Sequence, residues 1–167
     1  MADQRMIEGE HRLKVALFQP QIAPNTGNIG RLCVATGVEL HIVRPMGFVL
    51  SDKEVRRSGM DYWERLKLTL HDDEEAFFRA MKETRLWLFT SKAEKSFWEA
   101  EYLAGDCLVF GSETHGLSDE VLARFPERRV RIPQVAGERC LNLATAAGIA
   151  VYESLRQIHM DPPGTPS

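Results

Sequence analysis

The chain has 167 residues, of which 44% are hydrophobic and 27% charged, with a formal net charge of −3. That length can bury about 70% of its unfolded surface around one core without disulfides or metals. The charge excludes a protein that holds polyanions by overall basicity but leaves room for a local basic patch.

The first eleven residues are polar and lack the apolar segment of a secretory signal, and no apolar run approaches the roughly 20 residues that span a bilayer. Cys33, Cys107 and Cys140 show no metal-type spacing, so reduced thiols and a cytoplasmic location are expected. Residues 13–18 read as a strand, apolar except for Lys14. A loop dense in turn residues follows, and then a helix over about 28–36, with Ile29, Leu32, Cys33 and Thr36 on one face and Gly37 just past its end. A second strand covers 40–43 and stops at Pro45-Met46-Gly47. Ser51-Asp52-Lys53-Glu54 is a capping-box pattern that predicts a short helix over 52–57.

Leu66, Leu68 and Leu70 alternate with polar residues, as in a half-buried strand over 65–70. Residues 73–82 are helical, with acidic residues in the first turn and Phe77, Phe78 and Met81 facing inward. Residues 86–89 and 107–110 are apolar throughout, as in strands covered on both faces. Between them, 92–104 is ambiguous: Phe97-Trp98 suits a short strand or a turn of helix. After the loop 111–117, Ser118 caps a short helix that reaches Arg124. Residues 129–132 form a strand that Pro133 stops, because proline has no N–H for a ladder. A last helix begins near Asn142, with Leu141, Ala144, Gly148, Val151, Leu155 and Ile158 as its apolar stripe. Alternating strands and helices predict an α/β fold, a mostly parallel sheet with helices on both faces. One domain is expected over 1–159, with its core at 13–157 and a loose tail at 160–167.

In open α/β sheets, ligands sit beyond the carboxyl ends of the strands. Three such loops carry polar chemistry: Asn25-Thr26-Gly27-Asn28 with Arg31, the run Gly111 to Gly116, and the run Gln134 to Asn142. Phosphate-binding GxxxxGK[ST] and GxGxxG patterns are absent, and the histidines lack ligand spacing, so no metal site is expected. Gly111 and Gly116 would admit a close backbone approach to a flat ligand, and Glu113 would favour a cationic group. Arg31 suits a phosphate or carboxylate. Asn25 and Asn28 either cap their helix or touch a ligand. Basic clusters at Arg56-Arg57, at Arg65 with Lys67, and at Arg128-Arg129-Arg131 are either solvated faces or contacts for an anionic partner. By itself this chemistry reaches an α/β domain that binds a small ligand with a charged partner.

The strings PNTGNIGRLC (24–33) with LHIVRPMGF (40–48), FGSETHGL (110–117), and RIP (131–133) through CLNL (140–143) resemble, in order, the three motifs of the SPOUT RNA ribose methyltransferases. The resemblance extends over about 13–157. No RNA-binding domain is appended to this span, and with PMGF and Asp61-Tyr62-Trp63 it points to the branch that methylates the wobble nucleotide of tRNA.

That resemblance implies S-adenosylmethionine as methyl donor, S-adenosylhomocysteine as product, a C-terminal deep trefoil knot, a homodimer, and the tRNA anticodon stem-loop as partner. Phe89, Gly111, Ile132 and Leu141 would line the adenosyl pocket, with Cys140 at its edge. Arg31 matches the family's catalytic arginine, to which a base role is assigned. A guanidinium is a poor base, so we expect Arg31 to grip a nucleotide phosphate and acidify the hydroxyl electrostatically. Glu113 and Asn142 match motif residues that shape the site, and Asn25 would support the Arg31 loop. Two departures stand out: Cys140 occupies a position where many relatives carry Ser, and His115 one where the wobble branch often carries Arg. Alternatives consistent with the same motifs are a ribosomal-RNA ribose methyltransferase and a catalytically silent dimer that binds cofactor or RNA.

Overall fold

A computed structural model describes residues 6, 7, 9–50 and 61–160. Its centre is β1 (Lys14–Phe18), which pairs in parallel with β2 (Glu39–Val43) on one side and β5 (Cys107–Phe110) on the other. With β3 (Leu68–His71), β4 (Leu86–Phe89) and β6 (Arg129–Val130) the sheet has six strands in the order β3-β2-β1-β5-β4-β6, parallel at every pairing. The expected parallel α/β architecture is therefore the one observed.

The apolar strands are apolar throughout because both faces of the sheet are covered. Val15 and Leu17 face one core with Ile29 and Cys33 of α1 (Ala23–Thr36) and Ala147, Ala150, Val151 and Leu155 of α4 (Leu143–Met160). Ala16 and Phe18 face the other, with Phe77 and Phe78 of α2 (Glu74–Ala80) and Val121 and Leu122 of α3 (Asp119–Arg124). Ser118 caps α3 and Gly37 ends α1 at φ 71°, both as the sequence predicts, whereas Asp73, expected as the first helical residue, is the cap of α2. Among the described residues no helix is long and apolar enough to cross a membrane.

Several boundaries differ from expectation. Helix α1 begins at Ala23, so Asn25 to Asn28 lie within its first turns rather than in a loop. Pro24 reads as a loop residue in sequence, yet proline fits the first helical turn, where its missing N–H costs nothing. Strand β3 runs over 68–71 because 61–65 form a 3-10 turn. The ambiguous segment resolves as a 3-10 turn, Phe97–Glu99, with a full capping box between Ser96 and Glu99. Strand β6 keeps two residues. On α4 the buried face is Ala147, Ala150, Val151, Ser154 and Leu155, whereas Leu141 of the expected stripe is exposed. Ser154 tolerates full burial because its hydroxyl donates to the Ala150 carbonyl at 2.8 Å. Helix α4 also runs through Met160, where the tail was expected to start. The helix predicted over 52–57, the Arg56-Arg57 pair and the tail beyond Met160 lie outside the described residues.

Candidate active site

After β1 the chain steps to β2 and β3 on one side, whereas β5 and β4 lie on the other. The sheet order therefore reverses between β1 and β5, and a crevice is expected beyond their carboxyl ends. A cleft of about 460 Å³ opens there. The loop after β4, the loop after β5, the 131–142 segment and the starts of α1 and α4 wall it, so all three motif segments meet in one place. Its volume is ordinary for a small-ligand site, and its walls mix apolar side chains (Phe89, Phe110, Leu117, Ile132, Leu141) with loop backbone. That mixture fits a nucleoside, which needs flat apolar contact and a few backbone hydrogen bonds.

Polar groups from the three motifs are bonded to one another. Glu113, from the loop after β5, accepts from the backbone N–H of Gln21 at 2.8 Å and of Ile22 at 3.1 Å. Helix α1 has no side-chain cap hydrogen bond from Ile22, and this carboxylate instead takes the N–H groups of Gln21 and Ile22 that lead into its positive end. Glu113 Oε1 also accepts from Asn25 Nδ2 at 3.4 Å. Asn25 Oδ1 in turn accepts from Asn142 Nδ2 at 3.0 Å, and Asn142 Oδ1 caps α4 by accepting from the N–H of Ala144 and Thr145 at 2.9 and 3.2 Å. Glu113 is thus committed to a helix end rather than free for a cationic ligand group. Asn25 is buried and bonded to Asn142 and Glu113, near the start of the helix that carries Arg31.

Gly111 serves the loop's own closure. A Cβ there would collide with the backbone of Gly116 and Leu117, because the Gly116 N–H donates to the Ser112 carbonyl at 2.9 Å and folds the loop back. Gly116 sits at φ 64°, where a side chain is strained.

Of the residues singled out from the sequence, Phe89, Gly111, Glu113, Ile132, Cys140, Leu141, Asn142, Asn25 and His115 all line the cleft. Arg31 does not. It is exposed on α1 on the side of Tyr62, whose hydroxyl donates to the Gly27 carbonyl at 2.7 Å. Burial raises the Tyr62 phenol above its usual range, and the nearby Arg31 charge opposes that shift. Sequence reasoning missed Thr90, Ser91 and Lys92, which also line the cleft. The strand-end rule applied to Phe89 would have found them. Among the described residues, no cluster of His, Cys, Asp or Glu is placed to hold a metal.

Comparison with known proteins adds identity to this geometry. The model of the SpoU rRNA Methylase family matches residues 12–152. The tRNA (cytidine(34)-2'-O)-methyltransferase of Escherichia coli strain K12 is 45% identical over 147 residues, covering 87% of this chain and 94% of that protein. A solved structure reported for the 2-OH methylation of C/U34 on tRNA superposes with a TM-score of 0.84 at 44% identity, covering 90% of this chain and 98% of the other. An AdoMet-bound rRNA methyltransferase from Sinorhizobium meliloti gives a TM-score of 0.78 at 27% identity, covering 90% of this chain and 58% of that one.

Proposed function

The chain belongs to the SpoU rRNA methylase family, and from that premise we propose that it methylates the ribose 2′-hydroxyl of the wobble nucleotide, position 34, of tRNA. It is an S-adenosylmethionine-dependent methyltransferase. The observation that carries the reading is the meeting of three motif segments, far apart in sequence, around one nucleoside-sized cleft at the reversal of strand order.

When bound, S-adenosylmethionine would supply a methyl group carried on a sulfonium, and S-adenosylhomocysteine would be its product. The chain's own contribution is alignment and charge. Phe89, Ile132 and Leu141 offer apolar faces to the adenosyl group, Gly111 keeps the loop after β5 closed beside it, and Cys140 stands at the rim. Glu113, Asn25 and Asn142 act as positioning residues that lock the loop after β5 to the starts of α1 and α4. Arg31, exposed on α1 outside the cleft, holds a phosphate of the substrate and so aligns the nucleotide.

The continuous sheet and its two cores support one methyltransferase domain over 1–159. We also read the C-terminal part as the trefoil knot that the resemblance implies. After β6 at the edge of the sheet, the chain passes the cleft loops, and α4 returns to pack on the α1 side of the centre. A homodimer is supported by the outward side of α4. Ile149 and Tyr152 are exposed there, and a Cβ on Gly148 would meet nothing within 4 Å in its own chain. The substrate places the activity in the cytoplasm, at the tRNA anticodon stem-loop.

The test is incubation of the purified protein with labelled S-adenosylmethionine and total tRNA, followed by nucleoside mapping. Label is expected at position 34; no label in tRNA, with label in ribosomal RNA offered in a parallel reaction, overturns the reading. Arg31→Ala should lower methyl transfer by at least about a hundredfold. Because Arg31 lies outside the cleft, calorimetry should show S-adenosylmethionine affinity unchanged, and lost affinity would refute its assignment.

A further inference from the structure

We propose that the edge of the sheet beside β6 is the track by which the tRNA chain reaches the cleft, with Lys95, Arg128, Arg129 and Arg131 taking its phosphates and the indole of Trp98 stacking on one of its bases. The inference rests on the tRNA-methylation reading and names the surface that serves it.

Among the described residues β6 ladders with β4 alone, and beyond Val130 its other side meets the 95–97 segment at the Ser96–Arg131 bridge. The 95–98 segment comes up against the residue that follows: Arg131 N–H donates to the Lys95 carbonyl at 2.9 Å, and Phe97 N–H donates to the Arg131 carbonyl at 2.8 Å. These two bonds hold Lys95 and Trp98 beside the basic run that opens the third motif.

The cations there are gathered but not neutralised. The buried indole of Trp87 has Arg85 at 5.6 Å, Lys95 at 5.5 Å and Arg128 at 5.0 Å from its centroid. Arg85 alone of the three holds a carboxylate, Asp106 at 2.9 Å. Arg128 Nη1 is buried without an acceptor, and Arg129 donates only to the Pro126 carbonyl at 3.3 Å. Glu94 and Glu127 lie in the same segments and pair with none of these cations, whereas Arg44, Arg124 and Arg156 elsewhere each hold a carboxylate. Like charges crowded without counter-charge favour an anion that arrives from outside.

Edge strands often carry Lys or Arg simply to repel other sheets. That explanation does not cover Trp98, which is 67% exposed next to Phe97 at 2%. A large bare indole on a sheet edge invites association, but it is the ring on which an unstacked RNA base can lie. The track also leads somewhere. Arg129 pairs with Leu88 and Val130 with Phe89, and Arg131 lines the cleft itself. Successive residues of β6 therefore step from Trp87 toward the methyl-transfer site.

The test is steady-state methylation of tRNA by Lys95→Gln, Arg129→Gln and Trp98→Ala, none of which lines the cleft, with S-adenosylmethionine affinity measured in parallel. Each cation variant should raise KM for tRNA about three- to tenfold at physiological salt and reduce the dependence of log affinity on log salt by roughly 0.7–0.9. Trp98→Ala should raise KM about tenfold, and Trp98→Phe should restore most of the loss because a ring remains. In all of them kcat and cofactor affinity should stay within about twofold, since transition-state contacts are untouched. Unchanged KM and salt slope in the variants overturn the track, as does a KM rise accompanied by equal losses in kcat and cofactor affinity. If the wild-type protein transfers no methyl to tRNA, the functional reading fails; if it does and the variants match it, only the track fails.

Discussion

Helices α1 and α3 both start in loops that follow strands, and both present free N–H groups to be satisfied, but they solve the problem differently. Ser118 caps α3 from the adjacent position, accepting from Val121 N–H at 3.2 Å. Helix α1 starts after Ile22, which has no capping side chain, and takes Glu113 from a loop some ninety residues away. A local cap needs only neighbouring residues. A remotely capped one is completed only when the loop after β5 is in place, so α1 and the cleft assemble together. The cap that costs a long-range contact is the one wired into the site.

The largest expected effect that tests this contrast is on Glu113. Glu113→Ala should cost about 2–3 kcal/mol of stability, because it strips a charged acceptor from two backbone N–H groups. It should also weaken S-adenosylmethionine binding measurably. Ser118→Ala should cost about 1 kcal/mol in denaturant unfolding and leave kcat/KM unchanged. Equal functional effects of the two variants would erase the distinction.

Next in size is the bond between Asn25 and Asn142, which ties the starts of α1 and α4. A double-mutant cycle with alanine at each position should give a coupling of about 1 kcal/mol in cofactor affinity. Strict additivity would mean that the two helices are positioned independently.

A smaller effect should appear at the far half of the sheet. His41 and His71, on neighbouring strands, share a 2.9 Å contact between Nδ1 and Nε2. Burial, then the charge of His71, lowers His41 from 6.5 to about 4, with Glu39 opposing and Lys14 adding to the shift; burial lowers His71 too. A folded-state pKa below the unfolded one means that the folded protein binds fewer protons. This contribution to stability is therefore present above about 6.5 and lost as pH falls toward 4. Thermal melts should show that decline, and His41→Gln should flatten it. Because the pair lies away from the cleft, a parallel collapse of cofactor affinity across pH 6.5 to 5 would contradict its separateness.

The smallest effect is chemical. Cys140 is exposed at the rim of the cleft, whereas Cys33 and Cys107 are buried, and burial pushes the Cys33 thiol up to about 12. A thiol reagent should label one cysteine quickly in the native protein, and S-adenosylmethionine should slow that labelling. Labelling unaffected by saturating cofactor would move Cys140 off the rim.

Where the pattern is local, the elements could be read directly. Leu86 to Phe89 and Cys107 to Phe110 are strands with the boundaries their apolar runs suggest, and Ser118, Asp73 and Gly37 mark helix ends through chemistry confined to neighbouring residues. The start of α1 was not legible because its cap is remote and Pro24 looks like a loop residue. Of the expected α4 stripe, Val151 and Leu155 are buried and Ala144 and Ile158 pack on the same core, whereas packing against the sheet and α1 also turns Ser154 inward, and Leu141, ahead of the helix, is exposed. Most cleft residues were legible from the motifs. Thr90 to Lys92 were passed over because nothing in their chemistry stands out, although they follow the predicted end of β4 beside β5.

The sequence by itself determined the parallel α/β class, the locally capped helices and the identity of the motif residues, since periodicity, caps and motif strings are properties of neighbours along the chain. Only the tertiary structure decided what those residues do. It made Glu113 a helix cap, Asn25 a bridge to Asn142, and Gly111 the space that lets a loop close on itself. It also put Arg31 on the outside of α1 and ran the basic stretch of β6 up to the cleft. Those roles depend on distances between segments up to 117 residues apart, which are set by strand order and by no local pattern.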